Sequence, residues 1–308
     1  MPPKMRPYQS ERDYQRLRAL LRAVLPLNAM QQRSWHVARL DYWRWHGVAN
    51  ITHDRLEDVL FLWETSNGDL VAALHPEGQG EAFLQIHPQQ RDERLEAEML
   101  AVAEEQLAIS GADGQRRLCV WACAGDELRR GLLRRRGYHP QGQPEAMRWR
   151  DLSAPIPPAP PPDGLVVRTL GGEDELPARS WVSWRAFHPD EPDDHYQGWQ
   201  WYHNVQSAPL YRRDLDVVIA NPEGGHAAFC TVWFDDVTRT GMFDPVGVDP
   251  AWQRRGLGTV VVCEGLRRLK ALGATLGYIG SYSAAAGGLY ASVGFETYAS
   301  LEPWVRVW

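Results

Sequence analysis

The chain has 308 residues, 44% of them hydrophobic and 23% charged, with a formal net charge of −6 at pH 7. Such a balance is that of an ordinary globular protein, and it offers no basic field for nucleic acid or an anionic membrane, so neither partner is expected. The length suits two domains of common size better than one, and no apolar run approaches the ~20 residues of a membrane span.

The N-terminal stretch, MPPKMRPYQSERDYQ, lacks an apolar signal core, which makes a reducing cytoplasm the expected setting. Met5 to Tyr8 reads as a short strand, followed by a helix ending near Ala23 to Pro26. Leu84 to Pro88 is a second strand, and the stretch from about Glu93 to Ile109 is a long amphipathic helix. Leu118 to Ala122 is a strand bearing Cys119, with Cys123 just beyond it. Neither these nor Cys230 and Cys263 form a C-x-x-C pair or meet His at zinc spacing. Buried reduced thiols are expected, and no metal. A short helix and the pair Gly137-Tyr138 close this half.

Ala154 to Pro162 holds six prolines in nine residues. Each lacks an N–H and fixes φ, so the run is neither helix nor central strand. Polyproline II geometry would make it a semi-rigid spacer of roughly 28 Å at ~3.1 Å per residue. The expected division is therefore 1–152, a linker 153–164, and 165–308.

The second half repeats the first. Val166 to Thr169 is a strand, and the helix after it ends near Ala186 to Pro189. Val246-Gly-Val248-Asp-Pro250 parallels Leu84-Gln-Ile86-His-Pro88 at an offset of 162. A helix over about Gly256 to Leu272, a strand over Leu276 to Tyr282 and the pair Gly294-Phe295 follow. The offset drifts only from 162 to 157 along the way, which argues for a duplicated mixed α/β domain.

The stretch from Asp244 to Thr259 is the one that carries chemistry. It reads as a strand, a turn begun by Pro250, and a glycine-containing loop opening a helix with an apolar stripe at Leu257, Val261, Leu266, Leu269 and Leu272. Gly256, Gly258 and the free N–H groups of a first helical turn, with Arg254 and Arg255 beside them, make an anion site suited to a pyrophosphate. Neither G-x-x-x-x-G-K-[ST] nor G-x-G-x-x-G is present. Val246-x-Val248-x-Pro250, Gln253-x-x-Gly256-x-Gly258 and Leu289-Tyr290-x-x-x-Gly294-Phe295 together resemble the GNAT acetyltransferases. The likeness covers 165–308 well and 1–152 weakly.

That resemblance implies an α/β fold with a mixed, centrally splayed sheet flanked by helices, here in two tandem copies, and acetyl-CoA as the acyl donor. It implies that the backbone of Val246, Gly247 and Val248 binds pantetheine, beside a splay that tolerates Pro245. Gln253, Arg254, Arg255, Gly256, Leu257, Gly258 and Thr259 would form the pyrophosphate loop, and Tyr290 would be the general acid. Ser283 stands where the family often has Asn, so a hydrogen bond to the cofactor is altered. For the general base, strand alternation puts 242, 244, 246 and 248 on one face and makes Asp244 the first candidate; a water relay fits the family equally.

At the offset of 162, Gly256 and Gly258 become Arg94 and Glu96, while Arg254 and Arg255 become Asp92 and Glu93. Tyr290 becomes Leu133 at the later offset of 157. Asp92, Glu93 and Glu96 would repel a pyrophosphate, so the first repeat is expected not to catalyse. For the acceptor, the segment after the first helix of the second repeat carries Asp190, Glu191, Asp193 and Asp194, an attractor for a cationic amine; Trp199, Trp201 and Tyr202 follow as a candidate aromatic wall. The expected activity is acetyl transfer to the primary amine of a small molecule. The alternatives are a tandem enzyme like the mycothiol synthases and a non-catalytic CoA-binding sensor or scaffold.

Overall fold

The computed structural model describes residues 2–112 and 114–308. In chain order the first repeat runs β1 (Lys4–Pro7), α1 (Glu11–Leu27), α2 (Val37–Tyr42), α3 (Leu56–Val59), β2 (Phe61–Glu64), β3 (Leu70–His75), β4 (Glu81–Ile86), α4 (Glu93–Gln106), β5 (Ile109–Ser110), β6 (Arg116–Cys123), α5 (Glu127–Arg135), β7 (His139–Pro140) and β8 (Glu145–Asp151). The second runs β9 (Val166–Thr169), α6 (Leu176–Phe187), α7 (Tyr202–Gln206), β10 (Asp216–Ala220), β11 (His226–Asp235), β12 (Thr240–Val248), α8 (Leu257–Ala271), β13 (Leu276–Ser281), α9 (Ala284–Ser292) and β14 (Glu296–Val307).

Two compact units result, 1–147 with 298–308 and 148–297. In the first, the strands run β1-β2-β3-β4-β6-β14. Neighbours are antiparallel except β4 and β6, which pair in parallel only at Glu81↔Cys119 and Ala82↔Val120. In the second the order is β9-β10-β11-β12-β13-β8. Its parallel pair, β12 and β13, is joined only from Thr240↔Leu276 to Met242↔Tyr278. The two orders match place for place, as duplication requires.

The units differ from a contiguous division in their sixth strands. Leu301–Val307 of β14 pair with β6 of the first unit, and β8, which precedes the proline segment, lies beside β13 of the second. The physical reason lies in side chains. Trp304 is buried in the core of the first unit with Trp63, Met99, Leu100 and Leu132. Leu152, just after β8, is buried in the core of the second with Val232, Phe243, Val261, Leu266, Ile279 and Phe295.

The proline segment is not a free spacer. Ile156 and Ala159 pack against the second core. Its carbonyls are held by Arg150 at Pro155 (2.6 Å), by Arg267 at Pro157 (3.4 Å) and by Lys270 at Ala154 (3.3 Å). A segment poor in N–H donors still offers acceptors, and the basic C-terminal part of α8 uses them.

Candidate active site

The site grows from the place where β12 leaves β13. Past Met242 the ladder between them stops, and against β11 the register shifts between Cys230↔Val246 and Val232↔Phe243. Two residues of β12, Asp244 and Pro245, thus lie opposite one of β11, a bulge that seats the proline where no ladder N–H is needed. The bulge also corrects the expected strand face. Phe243, Val246 and Val248 all lie on the core side, so alternation is broken at 244 and the claim that 242, 244, 246 and 248 share one face fails. Asp244 is half-buried, and its carbonyl accepts from Trp233 Nε1 at 2.5 Å.

Gly247, between Val246 and Val248, faces α6 instead: a Cβ there would come within 2.5 Å of Phe229 and 2.8 Å of Ala186. The end of α6, and so the start of the acidic segment, is pinned against this part of β12.

After β12, Asp249 accepts from the N–H of Ala251 at 2.8 Å and turns the chain. Arg254 (φ 64) and Gly256 (φ 79) are both left-handed, a conformation natural for Gly and costly for Arg. Arg255 lies over the Trp252 ring, 4.8 Å from its centroid. Gly256 is the N-cap of α8, with no side-chain cap. Among the described residues, none accepts from the backbone N–H groups of 254–259; the first intrahelical bond is Val260 to Gly256, 3.2 Å. Residues 253–256 are exposed and Leu257 is buried in the core, so the loop is presented to solvent yet anchored. Unclaimed donors converging at the positive end of a helix form an anion site.

The two glycines have different jobs. At Gly256 a Cβ would meet nothing within 4 Å, and the left-handed φ is what favours Gly. At Gly258 a Cβ would sit 2.4 Å from Leu289 Cδ1. Its expected role, close approach of backbone to a ligand, is therefore joined by close packing of α8 on α9.

Tyr290 stands on α9, buried in the same core, its ring centroid 6.2 Å from that of Phe295. Its hydroxyl has no hydrogen-bond partner among the described residues. Burial, with the Asp244 carboxylate adding negative charge, pushes the phenol well above its usual range, and the Arg148 guanidinium pulls the other way. Ser283 caps α9, its Oγ accepting from the N–H of Ala286 at 3.1 Å.

Of the acidic segment, all four carboxylates are exposed. Asp193 pairs with Arg185 at 3.3 Å and Glu191 with His195 at 3.5 Å. Trp201 donates to Ser180 at 2.8 Å, and Tyr202 is buried against Asp216, so these two are packing residues rather than a wall. Trp181 stacks on Trp184 beside the segment, and Tyr196 packs edge-on to Trp181 and tilted to Trp184. The reading of the sequence missed Arg148, which precedes the proline run and so lay outside the expected domain. Alternating arginines, Arg148-Trp149-Arg150, were the available signal.

A strand released from its neighbour, an uncapped glycine loop and a buried tyrosine thus come together in the second unit. Residues 175–295 match the Acetyltransferase (GNAT) family, and that part of the chain is a GNAT domain. It is 31% identical over 208 residues, 63% of its length, to a mycothiol acetyltransferase of Nocardia farcinica, spanning 65% of that relative, a little under two thirds. A mycothiol acetyltransferase of a Nocardioides species is 28% identical over 69% of this chain and 75% of its own. The fold matches a tandem GNAT protein from the clavulanic acid biosynthesis pathway with a TM-score of 0.67 at 15% identity, covering 99% of this chain and 98% of that one.

Proposed function

We propose that the second unit transfers an acetyl group from acetyl-CoA to the primary amine of a small molecule, and that the first unit does not catalyse. The observation carrying this reading is the run of unclaimed N–H groups at 254–259 beside a strand released from its neighbour. When bound, acetyl-CoA would supply an activated thioester. The N–H groups of Arg254 to Thr259 would hold its pyrophosphate, with the Arg254 and Arg255 charges adding to the helix field and Gln253 at the loop's edge. The backbone of Val246, Gly247 and Val248 would pair with pantetheine as a strand does. Ser283, committed to capping α9, would reach the cofactor only through its hydroxyl proton.

Tyr290 would give its proton to the departing sulfur. Its raised pKa keeps that proton in place at neutral pH, the state a general acid needs. Asp244 would take the amine's proton, directly or through one water. Asp190, Glu191, Asp193 and Asp194 would draw in a cationic acceptor.

A second reading, an acceptor like that of the mycothiol acetyltransferases, is favoured by the identity to those relatives. Thiol release from acetyl-CoA, measured against simple diamines and the deacetylated form of mycothiol, separates the two acceptors. Tyr290→Phe should lower turnover roughly 10- to 10⁴-fold while leaving acetyl-CoA affinity nearly unchanged. Calorimetric binding without thiol release for any amine would point instead to a CoA-binding sensor.

A further inference from the structure

Strand β8 reaches the second unit from before the proline segment, and its alternate side chains Arg148 and Arg150 share a face. Arg150 is buried; its Nε donates to the Val293 carbonyl at 2.6 Å, and a Cβ at Gly294 would lie 3.0 Å from that nitrogen. Arg148 serves the other end of α9. Its Nη1 donates to Ser281 Oγ at 2.5 Å, and a Cβ at Gly287 would lie 2.7 Å from its Nη2. Two guanidinium groups thus bracket α9, one at Gly287 and one at Val293–Gly294, with Tyr290 between. Gly287 and Tyr290 are three residues apart on the helix, so they share a face with Cβ positions about 5–6 Å apart.

We propose that Arg148 is a positioning residue for the acid Tyr290, fixing the start of α9 through Ser281 and offsetting the charge left on the phenol oxygen. The idea rests on the assignment of Tyr290 made above. As the bond from acetyl carbon to sulfur breaks, its electron pair goes to sulfur and the Tyr290 proton follows. The phenolate left behind regains a proton from water. That phenolate forms in a buried place faced by the neutral Cys230 thiol from β11 and by Asp244 from β12, whose charge opposes it. Arg148 is the positive group acting on the phenol, and it favours ionisation. Without it, loss of the proton would be harder at the moment it is required. Gly287 is then the residue whose missing side chain makes room for the guanidinium.

A double-mutant cycle tests this. Arg148→Met should lower kcat about 10-fold with KM for acetyl-CoA unchanged within about twofold. In a Tyr290→Phe background the same change should alter kcat by less than about twofold, because nothing remains for the charge to act on. Arg148→Lys, keeping the charge, should regain most of the turnover. Equal losses in both backgrounds, or no loss at all, overturn the proposal. If the wild-type chain acetylates no amine, the functional assignment fails by itself, and ring-labelled tyrosine NMR still decides the role of Arg148. The ζ-carbon resonance of Tyr290, identified by its absence in Tyr290→Phe, should move in Arg148→Met and stay near its wild-type position in Arg148→Lys. A resonance that ignores the loss of charge overturns it too.

Discussion

Helices α4 and α8 occupy the same place in the two repeats, and their first turns solve one problem in opposite ways. A helix start has backbone donors with no partner of their own. In α4 the chain supplies the partners: Asp92 accepts from the N–H of Leu95 at 2.7 Å. Glu96, fully buried, is held by Arg91 and by Arg129 at 3.0 Å, and Arg91 is tied in turn to Asp126 at 2.6 Å. Glu93 turns outward to Arg135 at 2.6 Å. The carboxylates of the first repeat therefore do not merely repel an anion, as their charge led one to expect: Asp92 takes a helix-start donor for itself, and Glu96 is bound up with two arginines. In α8 the corresponding donors are left unclaimed. Where β4 leaves β6, Trp35, Phe83 and Trp121 line a cavity of about 20 Å³, room for roughly one water. One repeat uses its helix start for its own stability, and the other leaves its donors open.

The sharpest way to break this contrast is to copy the first solution into the second repeat. Gly258→Glu puts a carboxylate where Glu96 stands and forces a side chain into Leu289, which a Cβ alone would approach to 2.4 Å. Acetyl-CoA binding should fall below detection by calorimetry, a loss of at least about 100-fold. Gly258→Ala separates volume from charge and should bind with an intermediate affinity. Undiminished binding by Gly258→Glu would mean that the pyrophosphate lies elsewhere.

The reverse change tests whether the first repeat is truly self-satisfied. Glu96→Gln leaves the buried Arg129 without its counter-charge and Arg91 with Asp126 alone, a change of the kind that costs about 3–5 kcal/mol. Urea denaturation should show that loss, with no second acetyl-CoA site gained. Unaltered stability would make the buried cluster incidental.

A smaller contrast lies in two buried histidines. His75 and His226 are both pulled down to about 4 by burial. Between that value and the usual 6.5, the unfolded chain binds a proton that the fold refuses, so stability falls as pH drops through this window and is constant above it. Each histidine contributes a slope of about 1.4 kcal/mol per pH unit there. His226 has Glu175 within 3.5 Å to receive its charge, whereas His75 is held as a neutral ring by the Pro76 carbonyl at 2.9 Å and the Gln85 amide at 3.0 Å. Hydrogen exchange should show both units loosening over the same pH window, and His75→Gln should reduce the dependence of the first unit, where His46 is also pulled down to about 4.

Much of this was legible in the sequence, for physical reasons that also explain the rest. The glycine loop was readable because an uncapped helix start needs particular residues in a fixed order, and the duplication because apolar periods recur at one offset. Strand membership was not. Nothing local tells Arg148 or Leu301 which sheet they will join, since a strand's pattern fixes the faces it buries and not its neighbour. The face of Asp244 was misjudged because alternation holds only while the ladder is regular, and the bulge at 244–245 shifts it by one. The proline run was read from its missing donors, while its carbonyls, which bind it to α8, leave no mark in composition.

The acidic segment gives the smallest effect and the last test of the contrast between repeats. At the offset of 162, Asp190, Glu191, Asp193 and Asp194 become Asn28, Ala29, Gln31 and Gln32, so the charge belongs to the second repeat alone. The segment begins just past Ala186, which lies against Gly247 on the strand of the candidate site. Two of the four carboxylates are already engaged, Asp193 with Arg185 and Glu191 with His195; Asp190 and Asp194 have no ion-pair partner among the described residues. Exposed charges act weakly one by one and are screened beyond about 10 Å at 0.1 M salt, so their joint effect falls on the arrival of a cation rather than on chemistry. Neutralising all four should raise KM for a cationic amine a few-fold, leave kcat unchanged, and flatten the dependence on salt. Neutralising Asp190, Glu191 and Asp194 together should reproduce most of that change, because Asp193 is compensated by Arg185. If the quadruple variant handles a diamine as the wild type does at low salt, the segment is a solvated surface. Selection of the acceptor must then come from the half-buried rings of Trp181, Trp184 and Tyr196.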